Sequence, residues 1–384
     1  MARVGILNLG LHGHLRPASR LGRVIAARGH DVVAWAPEAV RDVVAQGGVE
    51  LRPAGEIVES DPIDDAAMGA TLAAFNTPAL VEPFVEQLHA ERIDLVVHDC
   101  MLPAARVAAD FLGLPRVCSI PQFPPGFRRG DAPGPPPGPP REELVHVLLE
   151  SRDEVGLRWG VDLGLFREVL QNLGDLNVVY TTAEVAGVEP PDPSWRWVGP
   201  LLDPLPAHAR DADADGPPLV FVTLGTTFSN APAVFRAVME GLADVDVRVL
   251  AGTGGRLEPA AFESVPPNAR VERWPDARAA LREARVAVVH GGIGIVHEAL
   301  AAGVPMVCVP QGADQWSWAR RIAELGAGVD LGSSPAPAAV RDAVVHVLEA
   351  DEPRRRAAAL AGHLASYPGE SIAADAIDSL LDAA

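Results

Sequence analysis

The chain has 384 residues, 48% hydrophobic and 22% charged, the balance of a folded globular protein long enough for two domains of ordinary size. Its formal net charge of −19 argues against nucleic acid and anionic membrane as partners, and no apolar stretch is long enough to span a bilayer. Lysine is absent from the sequence, which excludes a Schiff-base lysine and the phosphate-binding lysine of a P-loop. Cys100, Cys118 and Cys308 sit in or beside apolar runs without metal-ligand spacing. With no signal-peptide pattern at the N-terminus, a reduced cytoplasmic protein with buried thiols is expected.

Arg3 to Leu9 reads as a strand, Gly10-Leu11-His12-Gly13-His14 as the loop after it, Pro17 to Arg28 as a helix ended by Gly29, and His30 to Ala36 as a second strand. The first loop of this βαβ unit carries two histidines. Its glycines do not follow G-x-G-x-x-G, and the second strand ends at Trp35 instead of an acidic residue. A nicotinamide-dependent dehydrogenase would want both features and is rejected. Residues 57–76 are mixed. Leu80 to Arg92 reads as a helix, Ile93 to His98 as a buried strand ending in Asp99, Pro103 to Leu112 as a helix and Pro115 to Ile120 as a strand. This alternation predicts a doubly wound parallel sheet.

Residues 121–140, PQFPPGFRRGDAPGPPPGPP, cannot form helix or sheet interior. They are either a plain surface loop or a flap over an acceptor pocket. Helices are expected from Glu142 to Val155 and from Leu165 to Leu173, and closing strands of the first domain at Asn177 to Thr182 and Trp195 to Val198. The acidic, Pro/Gly-rich stretch 203–218 reads as an interdomain linker. Asp211 and Asp213 within it have the spacing of a DxD metal motif, but no buried strand places them, so no metal is expected. Leu219 to Leu224 begins a second sheet, followed by Gly225-Thr226-Thr227, which makes Thr226 a candidate phosphate or ribose contact. Strands follow at Val247 to Ala251 and Val271 to Trp274, and a last helix at Ser371 to Leu381.

The densest chemistry lies between Val286 and Gly326. The apolar run Val286 to Val289 reads as a buried parallel strand. His290-Gly291-Gly292-Ile293-Gly294 follows as a glycine turn, then a helix from Ile295 to Ala302 stopped by Gly303, a strand at Val304 to Val309, and Asp314-Gln315 before another helix. Ligands of open parallel sheets sit beyond the carboxyl ends of the strands. Bare amides at Gly291, Gly292 and Gly294 and the helix N-terminus behind them favour phosphate, and His290 adds a side-chain donor. Glu298 could accept two sugar hydroxyls, and Asp314 and Gln315 add acceptors and donors from the next loop. A diphosphate with a sugar at each end would use all of them.

In the first half, His12 and Asp99 are the candidate catalytic pair, because both follow strands of one sheet. A sugar-acceptor hydroxyl is a poor nucleophile near neutral pH, and a histidine base removes its proton. A carboxylate on the far side of the ring fixes the tautomer and stabilises the imidazolium. His14 is expected to be structural, hydrogen-bonded within the turn.

The stretch HGGxGxxxEALAxGVPMVxxPxxxDQ resembles the donor signature of family-1 glycosyltransferases of the GT-B fold, nearest to the bacterial branch that glycosylates macrolides and other natural products. The resemblance implies an α/β fold of two facing doubly wound parallel-sheet (Rossmann-like) domains. By matching position it makes His290, Gly292 and Gly294 the diphosphate site, Glu298 the ribose ligand, and Asp314 and Gln315 the donor-sugar ligands. Trp274 stands where that family stacks the donor base; an ordinary buried tryptophan is the alternative. HGHxxP and HD are where the family keeps its base and carboxylate, which assigns those roles to His12 and Asp99, with Gly13 beside the donor. Two positions depart from the pattern, Ile295 in place of a usual Thr and Trp318 in place of a usual Asn; and where a Pro-Gln pair commonly follows Trp274, the chain reads Pro275-Asp276-Ala277.

The expected organisation is an acceptor domain with the base at 1–203, a linker at 204–217, a donor domain at 218–365 and a C-terminal helix, 366–384, crossing back to the first domain. The expected reaction is inverting, metal-independent transfer from a UDP- or dTDP-sugar to a hydroxyl of a hydrophobic small molecule. The nucleotide sugar is a substrate and no cofactor is expected, in a monomer or homodimer. A non-catalytic nucleotide-sugar-binding helper of a partner transferase and a nucleotide-sugar epimerase are the alternatives. The presence of His12, Asp99, His290 and Asp314-Gln315 argues against the helper.

Overall fold

The computed structural model describes residues 1–53, 80–124, 154, 157–161, 173–203, 216–226, 231–255, 257–258, 260, 262 and 264–384. The segment 57–76, the Pro/Gly-rich loop beyond 124, the two helices expected between 142 and 173 in all but a few residues, and the linker with Asp211 and Asp213 lie outside the described residues. Two compact units emerge: residues 1–183, 188–201 and 368–384 form the first, and 184–187 with 202–367 the second.

The first unit holds one sheet of seven parallel strands: β1 (Arg3–Leu7), β2 (Asp31–Ala36), β3 (Glu50–Pro53), β4 (Leu95–Asp99), β5 (Arg116–Ile120), β6 (Leu176–Val179) and β7 (Trp195–Trp197). Their order is β3-β2-β1-β4-β5-β6-β7. The second unit repeats the plan with six parallel strands, β8 (Leu219–Thr223), β9 (Arg248–Gly252), β10 (Ala269–Glu272), β11 (Ala284–Val289), β12 (Met306–Cys308) and β13 (Gly328–Asp330), in the order β10-β9-β8-β11-β12-β13. In each sheet the winding reverses between the first and fourth strands, β1 beside β4 and β8 beside β11. The loops leaving those two strands diverge to opposite faces and open a crevice.

Central strands are mostly apolar because helices cover both faces of the sheet. All five residues of β4 are buried, as are the last four of β11. On one face of the first sheet Leu7, Trp35 and Val96 pack with Phe84 and Leu88 and with the alanines of Pro103–Phe111. Helices Pro103–Phe111, Pro232–Leu242 and Pro337–Glu349 each open on proline, whose missing N–H costs nothing there. All three cysteines are buried thiols outside any disulfide. Among the described residues no helix is long and apolar enough to cross a membrane.

Helix α1 (His12–Ala27) departs from expectation. It begins five residues before Pro17, so His12-Gly13-His14 form its first turn and are not a loop. Proline is tolerated so near the start because it removes a single intrahelical bond. The last helix, Gly369–Ala383, packs in the first unit against α1. Arg28 reaches Asp375 at 2.5 Å and Asp378 at 3.2 Å, and His30 Nε2 lies 2.9 Å from Asp378 Oδ1.

Three histidines are forced neutral. Desolvation lowers His98, His290 and His297 from 6.5 to about 4. Below pH 6.5 the unfolded chain takes up protons at these rings that the folded chain refuses, so their stabilising contribution, complete above 6.5, is lost as pH falls towards 4. Urea midpoints are expected to fall steadily over this window; a midpoint constant across it would contradict the assignment.

Candidate active site

The first crevice is built from the ends of β1 and β4. Asp99 closes β4 and is wholly buried. Its Oδ1 accepts the Met101 N–H at 2.8 Å, and its Oδ2 accepts the Asn8 side-chain amide at 3.1 Å and faces His14 Nδ1 at 2.8 Å. The imidazole partner of Asp99 is therefore His14, not His12 as expected. The reason lies in the start of α1. Residues two apart on a helix are separated by more than half a turn, so only one of the two histidines can turn towards β4. His12, the first residue of α1, is partly exposed, as is His14, and Gly13 between them is exposed. With Nδ1 on the carboxylate, Nε2 of His14 is directed away from it, the arrangement of a general base with its orienting acid. His98, one residue earlier on β4, is also buried, with Nδ1 3.2 Å from the Asp99 carbonyl oxygen.

Among the described residues, His14, Asp99 and Cys100 are the one group with ligand atoms close enough to share a metal ion. Both Asp99 oxygens there already accept hydrogen bonds.

The second crevice follows β8 and β11. The His290 ring lies between two glycines: a Cβ on Gly225 would sit 2.6 Å from its Cε1, and one on Gly292 would overlap its Nε2. Thr223 Oγ1 accepts the Gly225 N–H at 3.2 Å and tightens the β8 turn. Thr226, just beyond, is partly exposed. Gly291 has φ +83°, and a side chain there would meet the Gln315 carbonyl oxygen at 2.8 Å. Helix Ile293–Ala301 starts at Gly292 without a side-chain cap, so its first amides point into the crevice as an anion site. Gly294, in that first turn, is exposed with open space around it. Glu298 lies further along the same helix and shares a cleft with Leu202, Arg278 and Leu281.

The loop after β12 brings Asp314 to the start of helix Gln315–Glu324, partly exposed. Gln315 is only 4% exposed, and its Oε1 accepts the N–H groups of Gln311 at 2.8 Å and Gly312 at 3.1 Å. Its carbonyl end thus braces the loop that carries Asp314. Trp274 is 58% exposed, with its ring against Gly255; the buried alternative does not hold. Trp318 does the reverse. It is fully buried, edge-on to His297 at 5.1 Å, so it fills the core and does not line a sugar pocket. Asp276, two residues past Trp274, caps the next helix by accepting the Ala279 N–H at 2.9 Å.

The structure brings Asp99 together with His14, and His290 together with Gly292. The Asn8 and Gly225 contacts were missed from the sequence. Neither residue belongs to a motif, and only adjacency of β1 to β4 and of β8 to β11 reveals them.

Residues 236–379 match the model of the erythromycin biosynthesis protein CIII-like C-terminal domain. The chain is 27% identical to the oleandomycin glycosyltransferase of Streptomyces antibioticus, over 100% of this chain and 91% of that protein. To the demethyllactenocin mycarosyltransferase of Streptomyces fradiae it is 28% identical, over 100% and 87%. The crystal structure of the calicheamicin glycosyltransferase CalG4 superposes with a TM-score of 0.75 at 26% identity, covering 100% of this chain and 98% of that one. Two all-parallel α/β sheets and a likeness that runs the whole length of these sugar transferases make the chain a glycosyltransferase of the GT-B fold, similar to those that act on natural products.

Proposed function

We propose that the protein is an inverting, metal-independent glycosyltransferase that moves a sugar from a UDP- or dTDP-sugar to a hydroxyl of a hydrophobic natural product. The contact of His14 with buried Asp99 at 2.8 Å carries this reading. His14 Nε2 takes the acceptor proton while Asp99 holds Nδ1 and stabilises the imidazolium. The acceptor oxygen bonds to the anomeric carbon from the face opposite the diphosphate, and the bond from that carbon to the phosphate oxygen breaks with its electron pair leaving on the diphosphate. His290, neutral with a pKa near 4, donates a hydrogen bond to the leaving group, and the amides of the turn 292–294 and the helix dipole share its charge. Glu298 accepts pentose hydroxyls, Trp274 stacks the base, Thr226 and Gly13 lie along the donor, and the loop of Asp314 and Gln315 faces the transferred sugar. The relatives named for oleandomycin and demethyllactenocin support a natural-product acceptor.

Calorimetric titration with UDP and with dTDP tests the donor site. Micromolar binding of either is expected; binding of neither would overturn the reading. Because protein donors take the role a metal plays elsewhere, transfer is expected to proceed unchanged in EDTA. Activity lost to EDTA and restored by a divalent cation would refute metal independence.

A further inference from the structure

We propose that Asn8 is a positioning residue for the His14–Asp99 pair, holding the carboxylate in the one orientation that fixes His14 as the base. The inference rests on the reading of His14 as general base. Asn8 is the first residue past β1 and is 0% exposed. Its backbone N–H extends the sheet by donating to the Trp35 carbonyl at 3.2 Å. Its side-chain amide donates at 3.1 Å to Asp99 Oδ2, the same oxygen that faces His14 Nδ1 at 2.8 Å. The Met101 N–H holds the other oxygen at 2.8 Å. With Oδ1 taken by the backbone and Oδ2 shared between Asn8 and His14, the carboxylate cannot rotate without losing a donor. His14 is then left with its proton on Nδ1 and its lone pair on Nε2.

Packing does not explain an asparagine here. Among the described residues its buried Oδ1 has no donor, a stranded acceptor that an apolar side chain of the same shape would avoid. What asparagine supplies and leucine does not is the N–H to Asp99. The residue therefore carries a local cost in stability for the sake of the pair it orients.

Nitrogen-15 NMR of the imidazoles in the full-length protein, with His14 assigned by difference from His14→Ala, tests this without any substrate. The wild type is expected to show His14 in the Nδ1–H form and Asn8→Leu a mixture of tautomers. With 4-methylumbelliferone as acceptor probe, Asn8→Leu is expected to lower kcat about 10- to 100-fold, with the donor KM unchanged and Tm unchanged or raised. Asn8→Ala should lose less, because the vacated space admits a water that donates to Oδ2 in its place. A packing role predicts the opposite order, since alanine opens a cavity that leucine fills. The proposal is overturned if the wild type holds the Nε2–H tautomer, if Asn8→Leu keeps the wild-type tautomer and kcat, or if alanine loses more than leucine. If His14→Ala itself retains transfer, the base assignment falls instead, and the tautomer spectra still report on Asn8. Should Asn8→Leu not fold, Asn8→Val takes its place, with the same tautomer mixture and loss of kcat expected and the wild-type tautomer and kcat overturning the proposal.

Discussion

Replacing His14 by alanine is expected to lower transfer by roughly 10²–10⁴-fold, the usual worth of a general base, while UDP or dTDP binds as before. The split follows from the proposed roles: His14 and Asp99, in the first unit, act on the acceptor proton, and the glycine turn, in the second, holds the diphosphate. His12→Ala should keep most activity, because Asp99 contacts His14. Asp99→Asn should approach the loss of His14→Ala: an asparagine amide facing Nδ1 would donate where the carboxylate accepts, shifting the ring proton to Nε2 and blocking the base. Steady-state kinetics of the three variants, with calorimetry of the free nucleotide diphosphates, settles the order. If His12→Ala loses as much as His14→Ala was expected to lose, and His14→Ala stays active, the pairing is wrong.

The second large effect is expected at His290. Its alanine variant should weaken UDP or dTDP binding by about 10- to 100-fold, the worth of a hydrogen bond to a charged group. Gly292→Ala should do the same without touching the imidazole chemically, because the added Cβ overlaps His290 Nε2 and pushes the ring out of its slot. With its pKa lowered to about 4 by desolvation, His290 is neutral near pH 7. Affinity should thus show no titration assignable to it from about pH 6 to 8; protonation, and the stronger attraction that comes with it, begins only on the acid side. Calorimetric titration of both variants checks this. Unchanged affinity in His290→Ala removes it from the diphosphate site, and unchanged affinity in Gly292→Ala means the ring tolerates displacement.

The architecture was legible in the sequence because parallel strands buried on both faces are written as short unbroken apolar runs. Leu95 to Val97 and Val286 to Val289 need no partner information to be read. The turn His290-Gly291-Gly292 was equally legible, since bare amides before a helix are a local device, and Gly291 at φ +83° is where that device demands glycine. Trp274 could be named from its place after a strand, but not as exposed or buried. That depended on Gly255, far along the chain, giving way beneath its ring.

Side-chain direction was not local. Whether His12 or His14 meets Asp99 turns on the residue at which α1 begins, and that is set by how the chain leaves β1 beside β4. Gln315 and Trp318 carry the same lesson. Their positions follow a binding motif, yet one braces its loop through Gln311 and Gly312 and the other lies in the core against His297. By itself the sequence determined the strand–helix alternation, the glycine turn after His290 and the acidic residue at the end of β4, because each depends on neighbours a few residues away. Only the tertiary structure decided which donors share the Asp99 carboxylate and which glycines enclose His290, because those contacts join strands made neighbours by the reversal of winding at the centre of each sheet.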